Sequence, residues 1–274
     1  MKVLLPETYG FCSGVRAAIR KAEEAIAEAK LASLPCFVVG DIVHSKAVMD
    51  ELIGKGLIKT ERAEEAKGPG IAVIRAHGIT DEERQLLLDN NLRIVDATCP
   101  VVLNSQRLIR EDDGLTVVIG QRGHSEVTAL LGSGNAVLIE TSAGLNVLEK
   151  KAYNAVVQTT FSIPGLEGIM KEASSRGIKL NLLNSVCRAS IERREALEKL
   201  AGHVEAIFVA GDRNSKNTVE LYEAGKSYGK PSFLVSSPSE ITSGMLGFSI
   251  VGLTAGASCP DTLFQSIKRR LIDG

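Results

Sequence analysis

One phrase, used three times, constrains this chain most: a short apolar run that leads to a cysteine. Leu92-Arg93-Ile94-Val95 runs through Asp96-Ala97-Thr98 to Cys99, and Pro100 bars a strand from continuing. Lys2-Val3-Leu4-Leu5 leads to Gly10-Phe11-Cys12, and Leu180-Asn181-Leu182-Leu183 leads to Ser185-Val186-Cys187. Cys12 and Cys99 lie 87 positions apart, Cys99 and Cys187 lie 88 apart, and 87 more reach the C-terminus at Gly274. A period near 87 is too long for a solenoid repeat and suits a triplicated α/β module.

A second frame repeats with it. Val39-Gly40 precedes His44-Ser45, Ile119-Gly120 precedes His124-Ser125, and Ala210-Gly211 precedes Ser215-Lys216. Each has a polar residue four positions after a glycine that ends an apolar run. Between these points, strand patterns alternate with amphipathic helices such as the one from Val15 to Leu31, which implies small parallel sheets. Thr80, three residues before Glu83, has the spacing of a helix capping box. We expect an α/β fold of three modules, 1–98, 99–186 and 187–274, which deliver their strand ends to a common centre. The third module lacks a last strand of its own, which the N-terminal strand carrying Cys12 can supply. Strands are expected over residues 1–9 and Phe248 to Val251. The charged runs Lys21 to Glu28 and Glu192 to Lys199 read as solvent-facing helix surface.

Composition narrows the function. A net charge of −1, aromatics at 4% and no tryptophan argue against a nucleic-acid surface. No apolar run reaches the ~18 residues of a membrane-spanning helix. The first residues, Met1-Lys2-Val3-Leu4-Leu5-Pro6-Glu7, lack the ~7–15-residue apolar core of a signal peptide. A cytoplasmic protein without a membrane or nucleic-acid partner is expected. Five cysteines in a reducing compartment favour catalytic or metal-binding thiols over a disulfide framework.

In parallel sheets, ligands gather beyond the C-terminal ends of the strands. Cys12, Cys99 and Cys187, the turns with His44 and His124, and the loops with His77, Thr159 and Ser258 all follow strand patterns, so one edge of each module collects them. A lone cysteine is more often buried structure; three at equal intervals reverse that preference. Structural zinc sites usually show paired C-x-x-C ligands, and none occurs here. Three thiolates suit an iron–sulfur cluster with one iron left without a protein ligand, since such clusters usually take four cysteines. Cys36 starts a strand and reads as core; Cys259 falls outside the repeat. His44, His77 and His124, with Ser215, Asn217, Thr159 and Ser258, make a set of donors for an anion, with helix N-termini adding backbone N–H groups. That set fits a small phosphorylated substrate, especially a diphosphate. Glu126 is the carboxylic acid placed among these donors and becomes the proton-donor candidate. No P-loop or G-x-G-x-x-G motif is present, so a nucleotide is not indicated.

The stretches Gly10-Phe11-Cys12-Ser13-Gly14-Val15, Ile42-Val43-His44-Ser45-Lys46, Ala76-His77-Gly78, Asp96-Ala97-Thr98-Cys99-Pro100, Gly123-His124-Ser125-Glu126-Val127, Gln158-Thr159-Thr160 and Thr254-Ala255-Gly256-Ala257-Ser258 resemble the 4-hydroxy-3-methylbut-2-enyl diphosphate reductases, in register over essentially the whole chain. These enzymes catalyse the last step of the methylerythritol phosphate route to isoprenoids. The resemblance implies a trefoil of three pseudo-threefold-related α/β modules around one [4Fe–4S] cluster per chain, held by Cys12, Cys99 and Cys187, with the substrate hydroxyl oxygen on the open iron. It implies that His44, His77, His124, Ser215, Asn217 and Ser258 hold the diphosphate. Glu126 would deliver protons with Thr159 in the relay, and ferredoxin or flavodoxin would supply electrons. Isopentenyl and dimethylallyl diphosphate would be the products. Lys216 stands where many members have a second serine, and a cation there could pair with a phosphate; Cys259 replaces a common alanine. The competing readings are a non-redox hydro-lyase using a three-cysteine cluster, and an iron–sulfur sensor that binds a phosphometabolite without turnover.

Overall fold

The computed structural model describes all 274 residues. The chain begins with β1 (Lys2–Leu4), α1 (Ser13–Leu31), β2 (Cys36–Val39), α2 (Lys46–Gly54), β3 (Leu57–Thr60), β4 (Gly70–Ile74), α3 (Asp81–Asp89) and β5 (Leu92–Asp96). It continues with α4 (Pro100–Arg110), β6 (Thr116–Ile119), α5 (Ser125–Leu131), β7 (Ala136–Ile139), β8 (Ala152–Val157), α6 (Ile163–Ser175) and β9 (Lys179–Leu182). The last elements are α7 (Arg188–Ala201), β10 (Ala206–Ala210), α8 (Lys216–Ser227), β11 (Ser232–Val235), β12 (Ile250–Ala255) and α9 (Asp261–Asp273).

The strands form three sheets of four, all parallel: β3-β2-β4-β5, β7-β6-β8-β9 and β11-β10-β12-β1. The expected α/β class with three small parallel sheets is what the chain adopts. In the third sheet, Lys2, Val3 and Leu4 pair with Ile250, Val251 and Gly252, so the first strand of the chain sits beside one of the last. By its contacts the chain divides into two units. The first comprises Met1–Arg16, Val43–Glu51 and Arg188–Gly274 and contains the β11-β10-β12-β1 sheet; the second comprises Ala17–Ile42 and Leu52–Cys187 and contains the other two.

The central strands explain why this pattern is readable. β4, β6 and β10 are buried along their whole lengths, as Gly-Ile-Ala-Val-Ile, Thr-Val-Val-Ile and Ala-Ile-Phe-Val-Ala. A parallel strand covered on both faces must be apolar on both, so it reads as a continuous run. In the first unit, Phe208, Leu253, Phe264, Ile267 and Leu271 pack on one face of the sheet, and Leu197, Ile207, Val209 and Leu221 on the other. In the second unit, Val39, Ile74, Ile79 and Leu87 form one cluster, and Ile109, Val118, Leu130 and Val156 another. Each fully buried side chain of this size removes enough apolar area from water for about 1.5–3 kcal/mol.

The edges depart from the sequence reading. The first strand spans three residues rather than nine, because Pro6 has no N–H for the ladder. β3 and β11 are additional edge strands, absent from the sequence reading. β3 has the pattern buried-exposed-exposed-buried, and four residues of that kind carry no clear period. The strand expected over Phe248 to Val251 begins at Ile250 and runs on through Ala255. The capping box forms as the spacing predicts: the Glu83 N–H donates to Thr80 Oγ1 at 3.0 Å, and the Thr80 N–H to Glu83 Oε2 at 2.9 Å.

Within the second unit, Gln106 of α4 ties the two sheets' loops together. Its Nε2 donates to the carbonyls of Ile79 and Ala129 and to Ser133 Oγ. Gly132 is needed here, since a Cβ would stand 2.5 Å from Thr80 Cβ.

Candidate functional site

Each sheet has the same topological switch. From β2 the chain crosses outward to β3, returns past β2 to β4, then moves on to β5; β6 to β9 repeat that order, and β10, β11, β12 and β1 show it again. The crevice at such a switch lies beyond the C-terminal ends of the two central strands. His44, His124 and Ser215 follow β2, β6 and β10 by five residues each. The loops containing His77, Thr159 and Ser258 follow β4, β8 and β12. Cys99, Cys187 and Cys12 follow the outer strands β5, β9 and β1 and precede α4, α7 and α1.

Main-chain hydrogen bonds fix the register of these loops. The Cys99 N–H donates to the Ala76 carbonyl at 2.9 Å, the Cys187 N–H to Thr159 at 2.9 Å, and the Cys12 N–H to Ala257 at 3.3 Å. Ala76, Thr159 and Ala257 are therefore equivalent, each two residues beyond its strand. His77 and Ser258 are matched in the second sheet by Thr160, and Thr159 occupies the position before it. This register was invisible in the sequence, where only the strand-end loops could be matched.

In the second unit, Glu126 is the best-defined group. It is 1% exposed, in the first turn of α5. Its Oε1 accepts the Thr159 N–H at 2.7 Å, and its Oε2 accepts the Thr159 hydroxyl at 2.6 Å. Burial pushes its carboxyl up from 4.5 to about 7, against the opposing effect of the two Thr159 hydrogen bonds. Near neutrality this carboxyl can hold a proton or release it. His124 caps the same helix, its Nδ1 accepting the Glu126 N–H at 3.2 Å, which directs Nε2 away from the helix. The His77 and His124 rings meet edge to face, with centroids 5.6 Å apart. The second unit thus gathers Cys99, Cys187, His77, His124, Glu126 and Thr159 on the C-terminal sides of its sheets.

The first unit gathers Cys12, His44, Ser215, Asn217 and Ser258. The Ser258 hydroxyl donates to the His44 carbonyl at 2.8 Å, with Ser215 Oγ as a second acceptor at 3.1 Å. Ser215 caps α8, accepting the Thr218 N–H. Asn217 Oδ1 accepts the Ala257 N–H at 2.7 Å. Asn217 stands at the position that Glu126 holds in the second sheet, two residues past the helix cap, and its oxygen takes the equivalent N–H. The amide is thereby oriented: its NH2 faces the other way, toward Ser190 Oγ at 3.4 Å. Gly256 allows this packing, because a Cβ there would lie 2.0 Å from Thr218 Oγ1.

Lys216 behaves differently. Its Nζ forms an ion pair with Glu220 at 3.0 Å, one turn along α8, with both side chains largely covered. The structure shows Lys216 held along its own helix, with Glu220 countering its charge. The equivalent of Glu126 and Asn217 in the first sheet is Lys46, which extends to solvent and pairs with Asp50.

The five thiols divide into two kinds. Cys12, Cys99 and Cys187 are unbridged and partly exposed at their strand ends. Cys36 and Cys259 are buried. Burial drives the Cys36 thiol up to about 11, where nearby Arg93 opposes the rise and Glu28 adds to it. Burial, with a contribution from Asp261, drives Cys259 up to about 12. Metals bind the thiolate, so these two are poor ligands. The three that remain offer soft sulfur donors from three equivalent positions, chemistry that fits iron–sulfur binding.

Sequence reasoning overlooked one residue. Arg193 lies in the run Glu192 to Lys199, taken as solvent-facing, yet it is 3% exposed. Its guanidinium donates to the carbonyls of Gly10 at 2.6 Å and Ala189 at 2.7 Å. The apolar residues Ala196, Leu197 and Leu200 fall on the same face of α7, and that spacing was the available signal.

Comparison with known proteins gives one consistent picture. Residues 3–272 match the family model described as LytB protein. A 4-hydroxy-3-methylbut-2-enyl diphosphate reductase of Treponema denticola is 30% identical over the full length of both chains. One from Francisella tularensis subsp. tularensis is 31% identical, covering 97% of this chain and 87% of its own. The solved structure of the Plasmodium falciparum E-1-hydroxy-2-methyl-but-2-enyl-4-diphosphate reductase superposes with a TM-score of 0.90 at 25% identity, over 98% of this chain and 87% of that one. A second solved structure, titled as the terminal enzyme of the non-mevalonate pathway, gives 0.72 at 27% identity over the whole of both chains. No helix of the present chain is long and apolar enough to cross a membrane.

Proposed function

Because this chain belongs to the LytB family, whose enzymes are iron–sulfur proteins, we propose that it is a 4-hydroxy-3-methylbut-2-enyl diphosphate reductase. The overall reaction consumes two electrons and two protons, breaks the allylic C–O bond and releases the hydroxyl as water. Isopentenyl and dimethylallyl diphosphate are the two products, according to which end of the allyl system is protonated. Reduced ferredoxin or flavodoxin supplies the electrons one at a time, and the enzyme works in the cytoplasm.

Cys99, Cys187 and Cys12 would hold a [4Fe–4S] cluster, one just beyond the outer strand of each sheet, the first strand of module 1–98 completing the sheet of module 187–274 and module 99–186 supplying the sheet between. When bound, the cluster supplies electrons and an iron without a protein ligand that acts as Lewis acid. The chain's own groups do the rest. His44, His77, His124, Ser215, Asn217 and Ser258 bind the diphosphate by donating hydrogen bonds; the Ser258 hydroxyl turns from the His44 carbonyl to do so, and the fixed Ala257 N–H contact leaves the Asn217 amide NH2 for this task. Lys216 contributes positive charge at the edge of the anion site, moderated by Glu220. Glu126 carries the proton for the departing hydroxyl, and Thr159 orients its carboxyl through both oxygens.

The observation that carries this reading over a binding protein is the buried Glu126–Thr159 pair. A sensor that only holds an anion gains nothing from a buried carboxyl titrating near neutrality. The test is Glu126→Gln. It should keep iron and bind the substrate, while turnover falls by about 10²-fold or more, the usual weight of a general acid. Turnover close to that of the parent would remove Glu126 from the proton path.

A further inference from the structure

Two charged side chains in this chain are buried, Glu126 and Arg193. The first has a place in the proposed reaction; the second has none so far. Arg193 sits on α7, six residues after Cys187, and its fork reaches two main-chain carbonyls. One belongs to Gly10, two residues before Cys12, and the other to Ala189, two residues after Cys187. Gly10 is in the left-handed region at φ 69, a conformation glycine adopts without strain. Its own N–H is tied to the Ala255 carbonyl at 3.3 Å. The turn carrying Cys12 is thus gripped at Gly10 from both sides.

The other two cysteine-bearing loops have comparable grips. Lys21 of α1, the helix after Cys12, donates through Nζ to the Asp96 carbonyl, three residues before Cys99, at 2.7 Å. Ser105 of α4, the helix after Cys99, accepts from Asn184 Nδ2, three residues before Cys187, at 2.8 Å. The helix that follows each cysteine therefore holds the loop that precedes another. Of these three grips, the Asn184–Ser105 contact is neutral, the Lys21 contact is exposed to solvent, and the Arg193 contact is a buried cation.

We infer that Arg193 is a positioning residue for the cluster: it fixes the Cys12 turn against α7, and its buried positive charge favours the reduced state. The inference rests on the proposed function. Each electron taken up adds negative charge beside thiolate ligands, and a desolvated cation near them is worth far more than one in water. Arginine suits the task because its planar fork serves two carbonyls while staying charged.

The experiment compares the wild type with Arg193→Met and Arg193→Lys, each anaerobically loaded with iron and sulfide and free of substrate. Two readouts are taken: the midpoint potential by dye-mediated titration with dithionite, and the rate of iron release to a chelator. Arg193→Met should shift the potential to a more negative value and release iron about 10-fold faster or more, the range typical of lost supporting contacts around a metal site. Arg193→Lys keeps the charge but not the fork, so its potential should stay near the wild type while iron release accelerates. If Arg193→Met does not fold, accelerated iron release from Arg193→Lys still supports the grip, and unaltered release overturns it. A folded Arg193→Met with unaltered potential and iron release overturns the inference and leaves the functional reading standing. A wild-type chain that takes up no iron overturns both.

Discussion

Glu126 shows how one residue carries both a cost and a function. A carboxyl with 1% exposure ionises without water to solvate its charge, and the two hydrogen bonds from Thr159 offset that cost only in part. Its folded value, about 7, lies above the ordinary 4.5. Its contribution to stability is therefore fully present below about 4.5 and is lost as the pH rises through about 7, because the unfolded chain gives up the proton first. Urea unfolding of the cluster-free protein at about pH 5 and about pH 8 checks this. The wild type should lose on the order of 3 kcal/mol relative to Glu126→Gln across that range; equal pH dependence would show that the carboxyl is not desolvated as described. In the sequence, Glu126 could be singled out as an acid among donors. Thr159 as its partner followed only from the family resemblance, because the contact depends on the register between the β8 loop and the Cys187 turn.

Among the central strands legibility followed burial, and the outer strands β1, β5 and β9 were found through the repeated cysteine that follows them. Val117-Val118-Ile119 and Ile207-Phe208-Val209 are fully covered and announce themselves as strands. Edge strands β3 and β11 have exposed or half-covered residues and no such signature. Helix ends with side-chain caps were readable too, as at Thr80, whereas the burial of Arg193 depended on a loop 183 residues away in sequence. The α3 cap offers a quantitative test. Thr80→Ala removes the acceptor for the Glu83 N–H and should cost about 1 kcal/mol in denaturant unfolding. A loss well above that would point to Thr80 packing on Gly132, where the threonine Cβ and Cγ2 approach closely.

At the scale of the whole molecule, the triplication explains a division of labour. The same three strand ends recur in each sheet, and their side chains have diverged: His44, His124 and Ser215 at one; Ala76, Thr159 and Ala257 at the next; and cysteine at the third. The position seven residues past the end of the central strand holds Lys46, Glu126 and Asn217, so one acid, one amide and one solvent-facing cation stand on equivalent scaffolds. If the third position is a shared ligand position, the cysteines must behave alike. Serine replacements of Cys12, Cys99 and Cys187 should each lower bound iron, whereas Cys36→Ser and Cys259→Ser should retain it, by colorimetric iron assay after anaerobic purification. Iron loss on replacing Cys259 alone would reverse the ligand assignment.

The anaerobically loaded protein, given (E)-4-hydroxy-3-methylbut-2-enyl diphosphate and dithionite-reduced viologen, should oxidise two viologens per substrate and yield isopentenyl and dimethylallyl diphosphate. Iron-loaded protein that binds the substrate but yields neither product, with viologen left reduced, would contradict the account.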